Sequence, residues 1–575
     1  MTERRFWIAL FGVLVLAALL RTLFPTADPP WNPTVGVVWH DEGAWVHNAR
    51  NRVLWGAWST DAWNPLFIAP VFTVLEYVSF ALLGVGVWQA RLVSEVGGLA
   101  SVLLIAGGVR RLGGSTAGLI AAALVGTNFF YVMYNRAALM ESTMVAMMTA
   151  SWYCYVRAQD RPGWGVAAGG FAVLAFFTKA AAAFFVAALA LDAVVSWLLP
   201  QPDQQAARRR SMAAIAGLAA GFLVALAIFV GPYWTEYRFY NWQMSVTRKP
   251  SYDLKSLLDR ASWFPVLHDV FTQNWLLIVA ATTSALTSLA RWRTLAAGER
   301  LLLWWIGLGT IELFVHDVAE RRFVMFIPAV AATAALALAG RRAASVELAQ
   351  VTRARAMLAL PAVAYGSYVA AAALIRLLYL PEIHAGVMRS TVRLSAAVAL
   401  LATIGIYAAW PRLSRALAGM QWSARAAVAF TAIVCAVDVT LFVYWARGRS
   451  YENIAASIAI GRQLPAGTLV HGKLANGLSL ENHIKPVFVG RNFGNYDDRR
   501  QRDDVRYILT YVAPCVGYEG PVINDVIAAY PERRVVMTFD VAETRTGADR
   551  AALVDKFGGR QPAGRPGDDL GRACN

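Results

Sequence analysis

Apolar runs separated by short polar turns recur along the first three quarters of this chain. They lie at about 6–24, 66–87, 90–109, 115–133, 138–156, 164–178, 180–199, 211–231, 273–290, 300–316, 323–340, 356–379, 391–409 and 426–446. Most approach the ~17–25 apolar residues that cross a bilayer as a helix. From about 447 the pattern shortens. Thr468-Leu469-Val470, Pro486-Val487-Phe488-Val489, Tyr507-Ile508-Leu509-Thr510 and Arg534-Val535-Val536-Met537 read as strands, with Ile454–Leu464 and Pro521–Tyr530 as helices between them. The pattern predicts a polytopic α-helical membrane domain over 1–446 and a small α/β domain over 447–575. The domain's Gly-, Arg- and Asp-rich tail after about 556 reads as loose. There is no fixed-period repeat.

Charge decides how many runs cross. If all fourteen span, Arg110-Arg111, Arg157, Arg161 and Arg208-Arg209-Arg210 fall outside, against the positive-inside rule. The run 66–87 carries Pro70, Glu76, Gly84 and Gly86 after Pro65, which suits an in-plane segment within a first outer loop of 25–90. Demoting it leaves about 13 transmembrane helices. The inner loops then hold 19 basic residues against five acidic ones. This topology puts the N-terminus in the cytoplasm and the C-terminal domain outside, as expected of a multi-pass protein of the inner or plasma membrane.

Composition agrees: 57% of residues are hydrophobic and 16% charged, against roughly 25% charged in globular domains. The net charge of +16 resides largely in loop arginines, and no Lys/Arg block with interleaved aromatics marks a nucleic-acid surface. Cys154 and Cys435 fall within apolar runs, whereas Cys515 and Cys574 fall in the polar C-terminal region, where a disulfide is an open alternative. No small-x-small cleavage site follows the first apolar run, so an uncleaved first span is expected.

The candidate chemistry gathers at the outer boundaries of the spans. Asp41 and Glu42 stand in His40-Asp41-Glu42-Gly43, Arg91 in Ala90-Arg91-Leu92, and Arg136 and Glu141 flank one outer turn. Lys179 separates two short runs, and His316, Asp317, Glu320, Arg321 and Arg322 precede another. Taken singly, Arg91 or Arg322 reads as a snorkelling side chain, Arg136 and Glu141 as a mutual pair, and Lys179 as a helix C-cap. Taken together, the cations suit a lipid phosphate, and a carboxylate beside them suits proton removal from an attacking hydroxyl or amine. The aromatic stretch Tyr233–Trp242 reads as a belt anchor or a cavity lid, and His268-Asp269 as a further acceptor contact.

These features resemble the GT-C glycosyltransferases of the branch holding the protein O-mannosyltransferases and the lipid A aminoarabinose transferases. The likeness rests on the acidic pair after the first span, the proline-flanked in-plane segment, Ala90-Arg91-Leu92, Asn135-Arg136 through Glu141, Thr178-Lys179, and Arg322-Phe323 leading to Pro328. It implies inverting transfer of a sugar from a polyprenyl-phosphate donor to a glycan, lipid or protein acceptor outside the cytoplasm. By position it implies that Asp41 is the general base and Glu42 its helper. Arg91, Arg321, Arg322 and Lys179 would hold the donor phosphate, and His40, Arg136, Glu141 and His316 would support the cavity.

Three positions depart from the aminoarabinose transferases: Asn64 precedes Pro65 in place of a lysine, Ala44 and Trp45 stand where an arginine follows the acidic pair, and Phe323 replaces a frequent aromatic hydroxyl. They leave sugar and acceptor open. No cofactor is expected; His40 and His47 beside the carboxylates keep a divalent metal as an alternative. The competing classes are a transporter or flippase of lipid-linked sugars, a non-catalytic scaffold, and a glycan polymerase or ligase of another fold. A transporter would carry more mid-span charge than Asp192, Glu312 and Asp438.

Overall fold

A computed structural model describes residues 2–30, 39–198, 203–243, 295–316, 320–339, 385–419, 423–488, 502–512, 530–542 and 549–558, with short pieces within 274–281 and 363–371. His268-Asp269, Asp317, Cys515, Cys574, the helix expected over Pro521–Tyr530 apart from Tyr530 itself, and the tail beyond 558 lie outside the described residues, as do most of the runs at 273–290 and 356–379.

The helices follow the apolar runs closely. They are α1 (Glu3–Thr22), α2 (His40–Trp55), α3 (Pro70–Leu83), α4 (Val87–Gly113), α5 (Ser115–Thr127), α6 (Phe129–Asn135), α7 (Met140–Arg157), α8 (Gly163–Thr178), α9 (Ala183–Leu198) and α10 (Gln204–Ala225). After these come α11 (Trp234–Arg238), α12 (Ala297–His316), α13 (Ile327–Leu338), α14 (Ala385–Ala408), α15 (Trp410–Gly419) and α16 (Ala424–Arg447). Side chains close several N-termini: Asp203 accepts from the N–H of Ala206 at 2.9 Å and Ser423 from that of Ala426 at 3.1 Å. Among the described residues six helices are long and apolar enough to cross a membrane, or seven if α5 and α6 form one bent span.

Two runs behave differently from continuous spans. The run at 115–133 breaks at Asn128, where α5 and α6 meet at 60°. The Asn128 side chain accepts from the N–H of Tyr131 at 2.9 Å, and Asp438 of α16 accepts from the N–H of Phe129 at 3.1 Å. These acceptors satisfy the amides that a new helix start exposes. The run at 66–87 contains only the 14 residues of α3, preceded by a 3-10 turn at Pro65–Phe67. At 1.5 Å per residue it extends about 21 Å, short of the ~30 Å hydrocarbon layer.

The C-terminal domain comprises α17 (Glu452–Gln463), β1 (Leu469–His471), α18 (Lys473–Gly477), β2 (Lys485–Val487), β3 (Tyr507–Tyr511), β4 (Arg534–Val541) and β5 (Asp549–Asp555). Its sheet order is β2-β1-β3-β5-β4. The β1–β2 and β1–β3 pairs are parallel, and β5 runs antiparallel to both β3 and β4. The fifth strand has no counterpart in the sequence reading: Asp549-Arg550-Ala551-Ala552-Leu553-Val554-Asp555 lacks two-residue alternation because it lies between two neighbours with Ala551 to Val554 all buried.

Helix α2 ties the two regions together. Its His47 and Arg50 face the C-terminal domain, while Val46 and Ala49 pack with Phe72, Phe80 and Ala90 of α3 and α4. Gly56, at φ +73°, ends the helix in the left-handed conformation.

Candidate active site

Asp41 and Glu42 occupy the first turn of α2, and both are buried. Glu42 is held on three sides. Arg91 donates to it twice, Nε to Oε1 at 2.8 Å and Nη2 to Oε2 at 2.9 Å, and the N–H of Ala138 donates to Oε1 at 2.9 Å. The Nη1 of Arg91 donates to the carbonyls of Pro25 at 3.0 Å and Ala27 at 2.7 Å. This differs from the phosphate-contact role that the resemblance implies for Arg91. Its guanidinium is committed to Glu42 and to the chain leaving α1, which leaves it little donor capacity for a lipid phosphate.

Asp41 has a different neighbour. Its Oδ2 accepts from Nη1 of Arg321 at 2.6 Å, and the Arg321 side chain is 32% exposed. The Nε of Arg321 lies 3.8 Å from Oε1 of Glu141, and that same oxygen accepts from Nζ of Lys179. The order Asp41–Arg321–Glu141–Lys179 therefore joins α2, the 3-10 turn Glu320–Phe326, the start of α7 and the residue that ends α8. Glu141 pairs with these cations and not with Arg136. Arg322 lies next along, with Nη1 3.5 Å from Oε1 of Glu312.

Arg136 supports the backbone. It donates to the carbonyls of Leu20 at 3.1 Å, Arg21 at 2.7 Å and Phe24 at 2.8 Å, and its guanidinium lies 4.5 Å from the Trp445 ring centroid. Carbonyls at a helix end need donors, and Arg136 supplies them for α1. The His40 ring packs edge-on against Trp39, with Nε2 4.0 Å from Oδ1 of Asp41. His316 closes α12, and its side chain lies outside the described residues. His47, offered as a metal ligand beside His40, instead places Nε2 2.9 Å from Oδ1 of Asp61 and Nδ1 3.1 Å from Nδ2 of Asn476. Among the described residues no cluster of three His, Cys, Asp or Glu suits a metal ion.

Residues 68–234 match the family of dolichyl-phosphate-mannose-protein mannosyltransferases. The chain also superposes on ArnT from Cupriavidus metallidurans bound to undecaprenyl phosphate, covering 97% of its own length and 98% of that protein at a TM-score of 0.53 and 15% identity. The chain shares the fold of ArnT. Apo ArnT gives the same TM-score at 18% identity, covering 97% and 100%. The oligosaccharyltransferase of Archaeoglobus fulgidus gives 0.44 at 12% identity, covering 92% and 71%. No curated protein sequence matches the chain.

Several contacts that shape the site join residues far apart in the chain. The loop after α2 is fastened to the stretch 233–243: Tyr240 donates to the carbonyl of Ala62 at 2.6 Å and Asn241 to that of Phe67 at 2.6 Å, while the Phe67 and Tyr240 rings stack at 5.7 Å. The aromatic stretch read as a belt anchor or lid thus packs against the first loop. Asp61 holds His47 and also accepts from the N–H of Phe488 at 2.7 Å. A one-dimensional pattern carries little trace of such pairings, because their partners lie about 180 and 430 residues apart.

Proposed function

We propose that this protein transfers a sugar with inversion from a polyprenyl-phosphate donor to an acceptor on the outer face of the membrane, with Asp41 as general base. The observation that carries the reading is the Asp41–Arg321 hydrogen bond at 2.6 Å, through a guanidinium that is partly exposed and flanked by Glu141 and Lys179. A base is thereby set beside the cations that a phosphate leaving group requires.

In the proposed step the acceptor's hydroxyl or amine attacks the anomeric carbon from the face opposite the phosphate. The carbon–oxygen bond to the phosphate breaks with its electron pair, and the acceptor's proton passes to Asp41. Polyprenyl phosphate departs with its charge stabilised by Arg321, Lys179 and Arg322. Glu42 and Arg91 hold the start of α2, so that Asp41 stays aligned. The same reading keeps the thirteen-span topology, with the acidic pair and the C-terminal domain outside the cytoplasm. ArnT, of the same fold, was crystallised with undecaprenyl phosphate, which supports a lipid-phosphate donor for this chain.

The test is transfer from undecaprenyl-phosphate sugars by the protein in nanodiscs. Asp41→Asn should lower turnover by roughly 10²–10⁴-fold while the melting temperature stays unchanged. An Asn variant that retained wild-type turnover would end the general-base assignment.

A further inference from the structure

The C-terminal domain meets α2 at the turn that carries Asp41. Trp39 immediately precedes that turn, is 2% exposed and belongs to the domain's own core, with Ile460, Leu464, Val470 and Leu478. The backbones then touch. A Cβ on Gly43 would lie 1.9 Å from the carbonyl oxygen of Asn476. A Cβ on Gly477 would lie 2.6 Å from Cζ3 of Trp39 and 2.8 Å from Cα of His40. Glycine is required on both sides because no other residue allows this approach.

The contact continues along one helical face, since residues 43, 47 and 50 are spaced by four and three. The ring of His47 meets Asn476. Arg50, fully buried, donates to the carbonyls of Ser479 at 3.1 Å, Asn482 at 2.8 Å and Ile484 at 3.0 Å. The domain cannot swing away without uncovering Trp39 and stripping three carbonyls of their donor.

From these contacts we infer that the C-terminal domain is a fixed wall of the active site that sets the position of Asp41, with Gly43, Gly477 and Arg50 as positioning residues. The inference rests on the role of Asp41 proposed above. A shift of the His40–Gly43 backbone displaces the Asp41 carboxylate relative to Arg321, and a misplacement of about 1 Å at a reacting group costs on the order of 10²-fold in rate. Acceptor and donor then approach from the side of Arg321 and Lys179, where the charged groups are partly exposed.

The experiment uses the full-length protein in nanodiscs, with undecaprenyl-phosphate sugar as donor and rates normalised to folded protein. Arg50 stands nine residues beyond Asp41, about 13 Å along the helix. Arg50→Ala and Gly477→Ala should each lower kcat by about 10- to 100-fold, with the donor KM within about twofold of wild type. Arg50→Lys should recover part of the loss. Gly307→Ala, at a position with nothing within 4 Å of the added methyl, should leave kcat unchanged. Wild-type kcat in Arg50→Ala, or a loss confined to KM, overturns the inference. If Gly477→Ala does not fold, the two Arg50 variants decide. Asp41→Asn in the same assay separates the two claims: activity there removes the general base, whereas inactive Asp41→Asn with unchanged Arg50→Ala removes only the wall.

Discussion

Two adjacent carboxylates, Asp41 and Glu42, have neighbours that suit them to opposite tasks. Glu42 accepts three hydrogen bonds from buried donors, two of them from Arg91. Removing its charge strands a buried guanidinium, which typically costs ~3–5 kcal/mol. Glu42→Ala should therefore lower the melting temperature and the folded yield, whereas Asp41→Asn should abolish transfer without either effect. Arg321 sits between the proposed base and the proposed leaving group, so Arg321→Ala should lower kcat by about 10²–10³-fold and raise the donor KM. A change in KM alone would reduce Arg321 to a binding contact. The residue types of this site were legible in the sequence, because charges at a bilayer boundary are conspicuous. The pairing was not: the carboxylate of Glu42 and the carbonyls of Pro25 and Ala27 that surround Arg91 lie 49, 66 and 64 residues from it along the chain.

Among the elements, long apolar helices were the easiest to read, since a membrane demands length and hydrophobicity together. The break between α5 and α6 was not foreseen, because Phe129–Met133 is as apolar as the residues before it. The signal was Asn128, an N-capping residue within an apolar run. Asn128→Ala removes the cap on Tyr131 and the 2.6 Å contact with Asn274. It should cost roughly 1–2 kcal/mol, read as a fall of a few degrees in the melting temperature. In the C-terminal domain four strands followed from β-branched and aromatic runs. The fifth, rich in alanine, carried no such signal and owes its conformation to pairing with β3 and β4.

For the molecule as a whole, Lys556 and Asp555 of the C-terminal domain make stability depend on pH in two separate windows. Burial pushes the Lys556 ammonium down to about 8, while its Nζ donates to the carbonyl of Arg502 at 3.0 Å. A lysine depressed on folding penalises the native state fully below about pH 8 and progressively less toward its ordinary value near 10.5. The contribution of this group should thus rise between pH 8 and 10, by about 1 kcal/mol after allowance for solvent screening. Lys556→Met should flatten that rise in melting temperature. Burial alone would raise the Asp555 carboxyl, but Arg506, at 3.0 and 2.8 Å, holds it below its ordinary value. Its stabilisation is present above about pH 4 and is lost as the medium becomes more acid.

The burial of Trp39 among residues 456–553 also orders events during biosynthesis. The first turn of α2 leaves the ribosome early, yet the hydrophobic seat for the residue before it is completed only when β5 has been made. A nascent chain can insert its first helices long before its carboxylate pair has a settled backbone. On the proposed mechanism, chains cut short before the last strand would carry every charged residue of the site but lack part of the seat that fixes the backbone beside Asp41.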